Sequence, residues 1–226
     1  MRIVLKLGGF AFATEGRPEP LISDYVKLLL QLVKEHQFVV VTGGGSTART
    51  YIQIARSMRV PESLCDQLGI MVSRINARLV VDGLHDHAYP EVPITVTDLS
   101  RFFASGKLVA MGGLQPGHST NAVAAIAAET IRADLFLNAT NVNGVYTSDP
   151  SEDPEAKHLD EVPVSKLMQI LSESRMTAGG YDLMDPIALR IIQRSRIPTI
   201  IIDGQNLANV TRALHGERTG TRIVID

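Results

Sequence analysis

At 226 residues, with 45% hydrophobic and 20% charged side chains, the chain is long enough to bury a sizeable core, and its composition excludes wholesale disorder. A formal net charge of −2, with no long basic run, argues against a nucleic-acid polymer or an anionic membrane as partner. Cys65 is the only cysteine, no apolar stretch approaches the roughly 18 residues of a membrane span, and the opening MRIVLKLGGF is too interrupted for a signal peptide. The expectation is a soluble, cytoplasmic protein without disulfides or a cysteine zinc site.

The elements follow in order. Arg2–Leu7 reads as a strand that stops at Gly8-Gly9. A helix from Ser23, its cap, to about Glu35 carries Val26, Leu29, Leu30 and Val33 on one face. Phe38–Val41 is apolar throughout, the pattern of a strand buried on both faces, and stops at Gly43-Gly44-Gly45. Ser46 or Thr47 then opens a helix to about Met58, and a longer helix covers about Glu62–Asp82. Val92–Val96 is a candidate strand and Asp98–Ser105 a short helix. Lys107–Met111 is a strand stopping at Gly112-Gly113, Asn121–Ile131 an Ala-rich helix, and Ala133–Ala139 a strand. The polar stretch Asn141–Asp160 reads as a loop. Val164–Ser172, Asp185–Ser195 and Asn206–His215 are helical, and Thr199–Ile202 and Thr221–Val224 are strands. This alternation predicts an α/β fold, a three-layer αβα sandwich with a mainly parallel central sheet. The whole chain, 1–226, reads as one domain, with any second lobe starting near Asn141.

Eight of the eighteen glycines fall in three places: Gly8-Gly9, Gly43-Gly44-Gly45, and Gly112, Gly113 and Gly117. Each group follows an apolar strand, and the last two precede helices. Such turns expose backbone amides to a ligand, and a helix N-terminus adds partial positive charge. Together at the carboxyl ends of parallel strands they would line one anion-binding crevice; ordinary tight turns are the alternative. Gly43–Ala48 fits the dinucleotide pattern G-x-G-x-x-A, but the expected ribose acid, near Glu62–Asp66, falls in a helical pattern. Gly112–Ser119 nearly fits a phosphate-binding P-loop, but His118 replaces its lysine. Lys6, inside an apolar strand and beside the first glycine turn, is the lysine placed to reach a phosphoryl group, unless it is a strand-edge lysine in water.

The segments RIVLKLGG, VVVTGGGSTARTYI, CDQLGI, VAMGGLQPGHSTNAVAA, ATNVNGVYTSDPSEDPEAK and LMDPIALRII resemble the amino acid kinase superfamily, and within it the archaeal-type UMP kinases. The resemblance implies an amino acid kinase-like fold, a homohexamer, and Mg²⁺-dependent transfer of the ATP γ-phosphoryl group to UMP in pyrimidine nucleotide synthesis. It implies an acceptor part over about 1–139 and an ATP part over about 140–226. Carried over residue by residue, Lys6, Leu7, Gly8, Gly9, Phe10, Gly45 and Arg49 face ATP, with Thr140, Asn141, Tyr146 and Asp149 at its adenine and ribose. Gly44, Asp66, Leu114, Gln115, Pro116, Gly117, His118, Ser119 and Thr120 face UMP, with Asp66 on the ribose hydroxyls. Lys6, Asp185 and Arg190 form the catalytic set, and no protein side chain is assigned as a metal ligand.

Three positions depart from the family pattern. Phe10 stands where a Ser is usual, Asn121 where Asp is frequent, and Arg190 where many members have Lys. They keep a second reading open, a catalytically weak nucleotide- or oxoanion-binding member; the third, a nicotinamide enzyme, is disfavoured by the misplaced acid. His85 and His87 lack a third ligand nearby, His118 reads as a loop residue, Cys65 as a buried hydrophobe, and Met168, Met176 and Met184 as packing.

Overall fold

The computed structural model describes residues 1–14, 19–150, 153–174 and 183–226. Met176 lies outside them. In chain order the elements are β1 (Arg2–Leu7), α1 (Ile22–Leu32), β2 (Gln37–Thr42), α2 (Gly45–Ser57), α3 (Glu62–Leu84), α4 (Val96–Phe103), β3 (Val109–Met111), α5 (Thr120–Ile131) and β4 (Leu135–Thr140). There follow β5 (Val145–Tyr146), β6 (His158–Leu159), β7 (Glu161–Pro163), α6 (Val164–Ser174), α7 (Pro186–Ser195), β8 (Thr199–Asp203), α8 (Ala208–Leu214) and β9 (Thr221–Val224).

Seven strands form one sheet in the order β3-β2-β1-β4-β8-β9-β7. The first five run parallel; β9 is antiparallel to β8, and β7 is parallel to β9. Alternation along β1 sorts the core into two halves. Val4, Val41 and Phe136 face one cluster with α5, α6 and α7; Ile3, Leu5, Leu7, Val40 and Leu137 face the other with α1, α3 and α8. Central strands buried on both faces need mainly apolar side chains, which is why β1, β2 and β4 read as apolar runs interrupted in their interiors only by Lys6 and Asn138. The expected three layers and mainly parallel sheet are present.

Four expectations are corrected. Val92–Val96 forms no strand: Pro93 removes a ladder donor, and the Thr95 hydroxyl accepts the Asp98 amide (3.0 Å), so Val96 starts α4 instead. Ser23 does not cap α1, which starts at Ile22 with Leu21 before it. Helix α2 starts at Gly45 rather than at Ser46 or Thr47, with Gly44 at the cap position. The stretch expected as a loop holds the β5–β6 hairpin, and β7 follows it directly; two- and three-residue strands exist only through non-local pairing and leave no periodicity to read.

Candidate active site

The carboxyl ends of β1 and β2 bring the first two glycine turns into backbone contact. A Cβ on Gly9 would lie 2.0 Å from the Gly45 Cα and 2.2 Å from its nitrogen. Gly45 also takes φ = +65°, open to glycine and strained for other residues. No side chain caps α2, whereas Ser119 caps α5 and Asp185 caps α7. The first amides of α2 therefore stay open beside the Gly8-Gly9 turn, where an anion gains most from them.

Helix α3 fixes the turns from behind. Thr42 donates to the Ser73 carbonyl (2.7 Å), and the Ser73 hydroxyl accepts the Gly113 amide (2.8 Å). Asn76 donates to the Gly43 carbonyl (2.7 Å). The Arg74 guanidinium donates to the carbonyls of Gly113 (3.0 Å) and Leu114 (3.1 Å), and its burial holds its pKa below the ordinary arginine value. Close packing explains Gly112 and Gly113, whose Cβ atoms would meet the Arg74 nitrogen at 2.6 Å and the Ile70 side chain at 2.8 Å, whereas Gly117 has open space and a φ of +78°. The Asp66 carboxylate accepts the Gly117 amide (2.9 Å), so α3 also sets the reach of the 114–120 loop.

Lys6 is 9% exposed and pairs in register with Val41 and Asn138. It shares a sheet face with Val4 and Val41, under α5 and α7; it is not the strand-edge lysine of the alternative reading. The neighbouring polar groups are tightly organised. The Ser119 hydroxyl accepts the amides of Asn121 (3.0 Å) and Ala122 (3.1 Å) and donates to the Asp185 carboxylate. Asp185, buried, also accepts the Ala188 amide (2.9 Å). Asn121 and Asn138 both donate to the Leu183 carbonyl, at 3.3 and 2.8 Å. One network thus runs from the strand neighbour of Lys6 through both helix N-termini to Asp185.

Other expected residues are more scattered. Arg49 and Arg190 are exposed, on α2 and α7, and no described contact joins Arg190 to the Asp185 network. The Leu7 side chain lies in the core, so only its backbone faces a ligand. Phe10 turns inward: a Cβ on Gly8 would meet its ring at 2.7 Å, and one on Gly204 at 2.6 Å. Tyr25 donates to the Gly204 carbonyl (2.7 Å) beside it, and burial, reinforced by Asp203, pushes its phenol pKa far up. At the end of β4 the Thr140 hydroxyl donates to the Val142 carbonyl (2.9 Å), Asn141 is exposed, and Tyr146 stands edge-on to His158 at 5.3 Å. Asp149 follows on the same loop, where its carbonyl accepts the Asp153 amide (2.9 Å). A polar cleft of 1060 Å³, bordered by Asn143, His158, Asp203 and Arg218, opens beside this hairpin. His85 and His87 are exposed in a tight turn, and no cluster of three metal-ligating side chains occurs among the described residues.

Residues 1–203 match the family model described as "Amino acid kinase family". The chain belongs to the amino acid kinase family. Within it, the chain is 44% identical to a protein named uridylate kinase from Methanococcoides burtonii, covering 99% of this chain and 100% of that one. It is 42% identical to another of that name from Sulfolobus acidocaldarius, covering 100% and 99%. The crystal structure titled uridylate kinase from Archaeoglobus fulgidus superposes with a TM-score of 0.87 at 37% identity, covering 99% of this chain and all of that one. A UMP kinase structure from Bacillus anthracis, 20% identical, shares the fold at a TM-score of 0.83. Ser73, Arg74, Asn76 and Asn138 escape the sequence reading of this family site. Asn138 carries a usable signal, a second polar residue inside an apolar strand like Lys6; the α3 residues resemble any polar helix face.

Proposed function

We propose that the protein is a UMP kinase, transferring the γ-phosphoryl group of ATP to UMP to give UDP and ADP. The observation that carries this reading is Lys6, buried at the ligand-binding end of the central strand, beside two stacked glycine turns and an uncapped helix N-terminus. Its support is full-length similarity to proteins named uridylate kinase. Phosphoryl transfer passes through a loose transition state, so the chain's work is to position reactants and neutralise charge. In this reading Lys6 and the amides of Gly8, Gly9 and Gly45 hold the ATP phosphates. Arg49 and Arg190 come in from the exposed side. Thr140, Asn141, Tyr146 and Asp149 line the nucleoside, and residues 140–226 form the ATP part.

UMP lies in the part before residue 140, between Gly44, Asp66 and Leu114–Thr120. Asp185 organises the cationic groups from its fixed place at the α7 cap. Ser119 acts through Asp185 and the two caps. A divalent cation, Mg²⁺ in the cell, would accompany ATP and supply charge neutralisation for its phosphates. Two buried asparagine oxygens without a donor among the described residues, on Asn121 and Asn138, are acceptors that would help hold it.

Two further assignments belong to the same reading. Tyr51 and Ile54 on α2 and Met58 just past its end, with Leu64, Met71, Ile75 and Leu79 on α3, are each between 47% and 66% exposed. The α3 positions recur at helical spacing, and such a contiguous apolar face favours a homo-oligomer, a hexamer by family resemblance. Sedimentation velocity reads that state directly. No helix among the described residues is long and apolar enough to cross a membrane, in keeping with a cytoplasmic role in pyrimidine nucleotide synthesis.

ADP release measured with UMP, CMP, acetylglutamate and isopentenyl phosphate as acceptors tests the function. UMP should give the highest kcat/KM; no acceptor-dependent ADP would sink the kinase reading. Asp66→Asn should raise the KM for UMP by roughly tenfold, the value of one charge-assisted hydrogen bond, while the KM for ATP moves less than twofold. An effect confined to ATP would contradict the assignment of Asp66.

A further inference from the structure

Asn138 is fully buried and Asn121 is 5% exposed, yet among the described residues the Oδ1 atom of each has no hydrogen-bond partner. Buried acceptors without a donor are rare enough to need a cause. Their orientation is fixed by chemistry. Both amide nitrogens point at the Leu183 carbonyl, and a flipped amide would set oxygen against oxygen. Because both side chains grip one atom, their oxygens belong to one small region of the interior. That region adjoins Lys6, since Asn138 is its register neighbour on β4.

The donor these oxygens lack is one that comes with the ligand. Ionised phosphates bring only acceptors. The ribose hydroxyls are claimed in this reading by Asp66 and by the β4–β5 region. Water held on a divalent cation brings strongly polarised O–H donors. Mg²⁺ characteristically keeps several waters and takes its direct ligands from substrate phosphates. No cluster of three His, Cys, Asp or Glu occurs among the described residues to strip those waters away. Asp185, two residues beyond Leu183 and buried, adds the negative charge that favours a cation there.

We propose that Asn121 and Asn138 accept hydrogen bonds from the water shell of the divalent cation that accompanies ATP. They are outer-sphere holders of the metal rather than its ligands. The proposal rests on the kinase reading and deepens it. It also explains why asparagine stands at 121: a carboxylate there has no N–H to give the Leu183 carbonyl.

The test is Mn²⁺ binding, followed by electron paramagnetic resonance, to the intact protein saturated with β,γ-imido-ATP. Asn121→Ala should weaken Mn²⁺ in this ternary complex by roughly tenfold or more, the usual effect of losing an outer-shell partner. Affinity for the metal-free analogue should change less than twofold. Unchanged Mn²⁺ affinity in Asn121→Ala and in Asn138→Ser overturns the proposal. A second readout needs no variant. The exchange-inert tetraamminecobalt(III) complex of ATP, whose ammines donate hydrogen bonds but cannot be displaced, should bind the unsubstituted protein within about fivefold of Mg·ATP. Failure of that complex to bind, while Mg·ATP binds, would mean direct coordination and overturn the outer-sphere assignment. Failure of the protein to bind any ATP analogue would instead overturn the kinase reading itself.

Discussion

Replacing Lys6 by Met should lower kcat by roughly 10²- to 10³-fold while leaving the affinity for UMP within about threefold. The magnitude is that of removing one preorganised donor aimed at charge that develops only in the transition state. The substitution keeps the stem's length and apolar packing and deletes the ammonium. Lys6 is 9% exposed among side chains of the α5–α7 half of the core, so the stem has neighbours to pack against in either variant. In the proposed reading, the Lys6 ammonium meets the negative charge that develops on the transferring phosphoryl group. Steady-state kinetics with UMP and ATP varied separately decides the matter. A loss below about threefold would move the charge-stabilising role to Arg49 or Arg190, the two exposed arginines nearest the site in sequence logic.

Lys6 also shows what a sequence can disclose. A lysine inside RIVLKL breaks an apolar pattern that otherwise specifies a strand buried on both faces, and it does so next to two glycines. Both facts are local, and both hold in the structure. The same is true of the glycine turns, whose place after β1, β2 and β3 follows from strand ends that any periodicity reading finds. The parallel order of the first five strands follows from the alternation of strands and helices. Local chemistry fails where pairing is non-local. The β5–β6 hairpin pairs only two positions, Val145 with Leu159 and Tyr146 with His158, across a loop of polar residues. The reversal at β9 is likewise a choice of sheet edge that Thr221–Val224 does not announce.

Much of the site was hidden for a related reason. Ser73, Arg74 and Asn76 look like the solvent side of a helix, because their partners are backbone atoms of turns more than 30 residues away. Asp66 was legible only through the family resemblance; by itself it is an acid in the first turns of α3. In the structure its carboxylate accepts the Gly117 amide, coupling α3 to the 114–120 loop. Asp185, placed just before Pro186, is a helix cap by its position, and the family resemblance adds a role near the γ-phosphate that is compatible with capping. The structure shows the cap bond from the Ala188 amide and the bond from the Ser119 hydroxyl on one carboxylate.

Gly9→Ala should disable the enzyme by displacing backbone rather than by removing a group. The added Cβ would fall 2.0 Å from the Gly45 Cα and 2.2 Å from the Gly45 nitrogen, well inside contact, and neither atom has a rotamer to move. Gly45 has little freedom to retreat, since its own Cβ position faces the Gly9 oxygen at 2.8 Å and its φ is already positive. The two turns must therefore separate, and they are the walls of the proposed phosphate site. A displacement of about 1 Å between such walls costs on the order of 10²-fold in rate, so kcat/KM for ATP should fall by at least that factor. Overpacking of this kind costs about 1–3 kcal/mol, so the thermal midpoint should drop by several degrees in a chain of this size. Gly216→Ala separates the two effects. Gly216 has φ = +74° with nothing within 4 Å of its Cβ position, so it carries the conformational penalty without the clash. That variant should lose about 1 kcal/mol and keep its kcat within twofold. If Gly9→Ala loses stability to the same small extent and turns over normally, the stacked glycines serve packing alone, and the phosphates lie elsewhere.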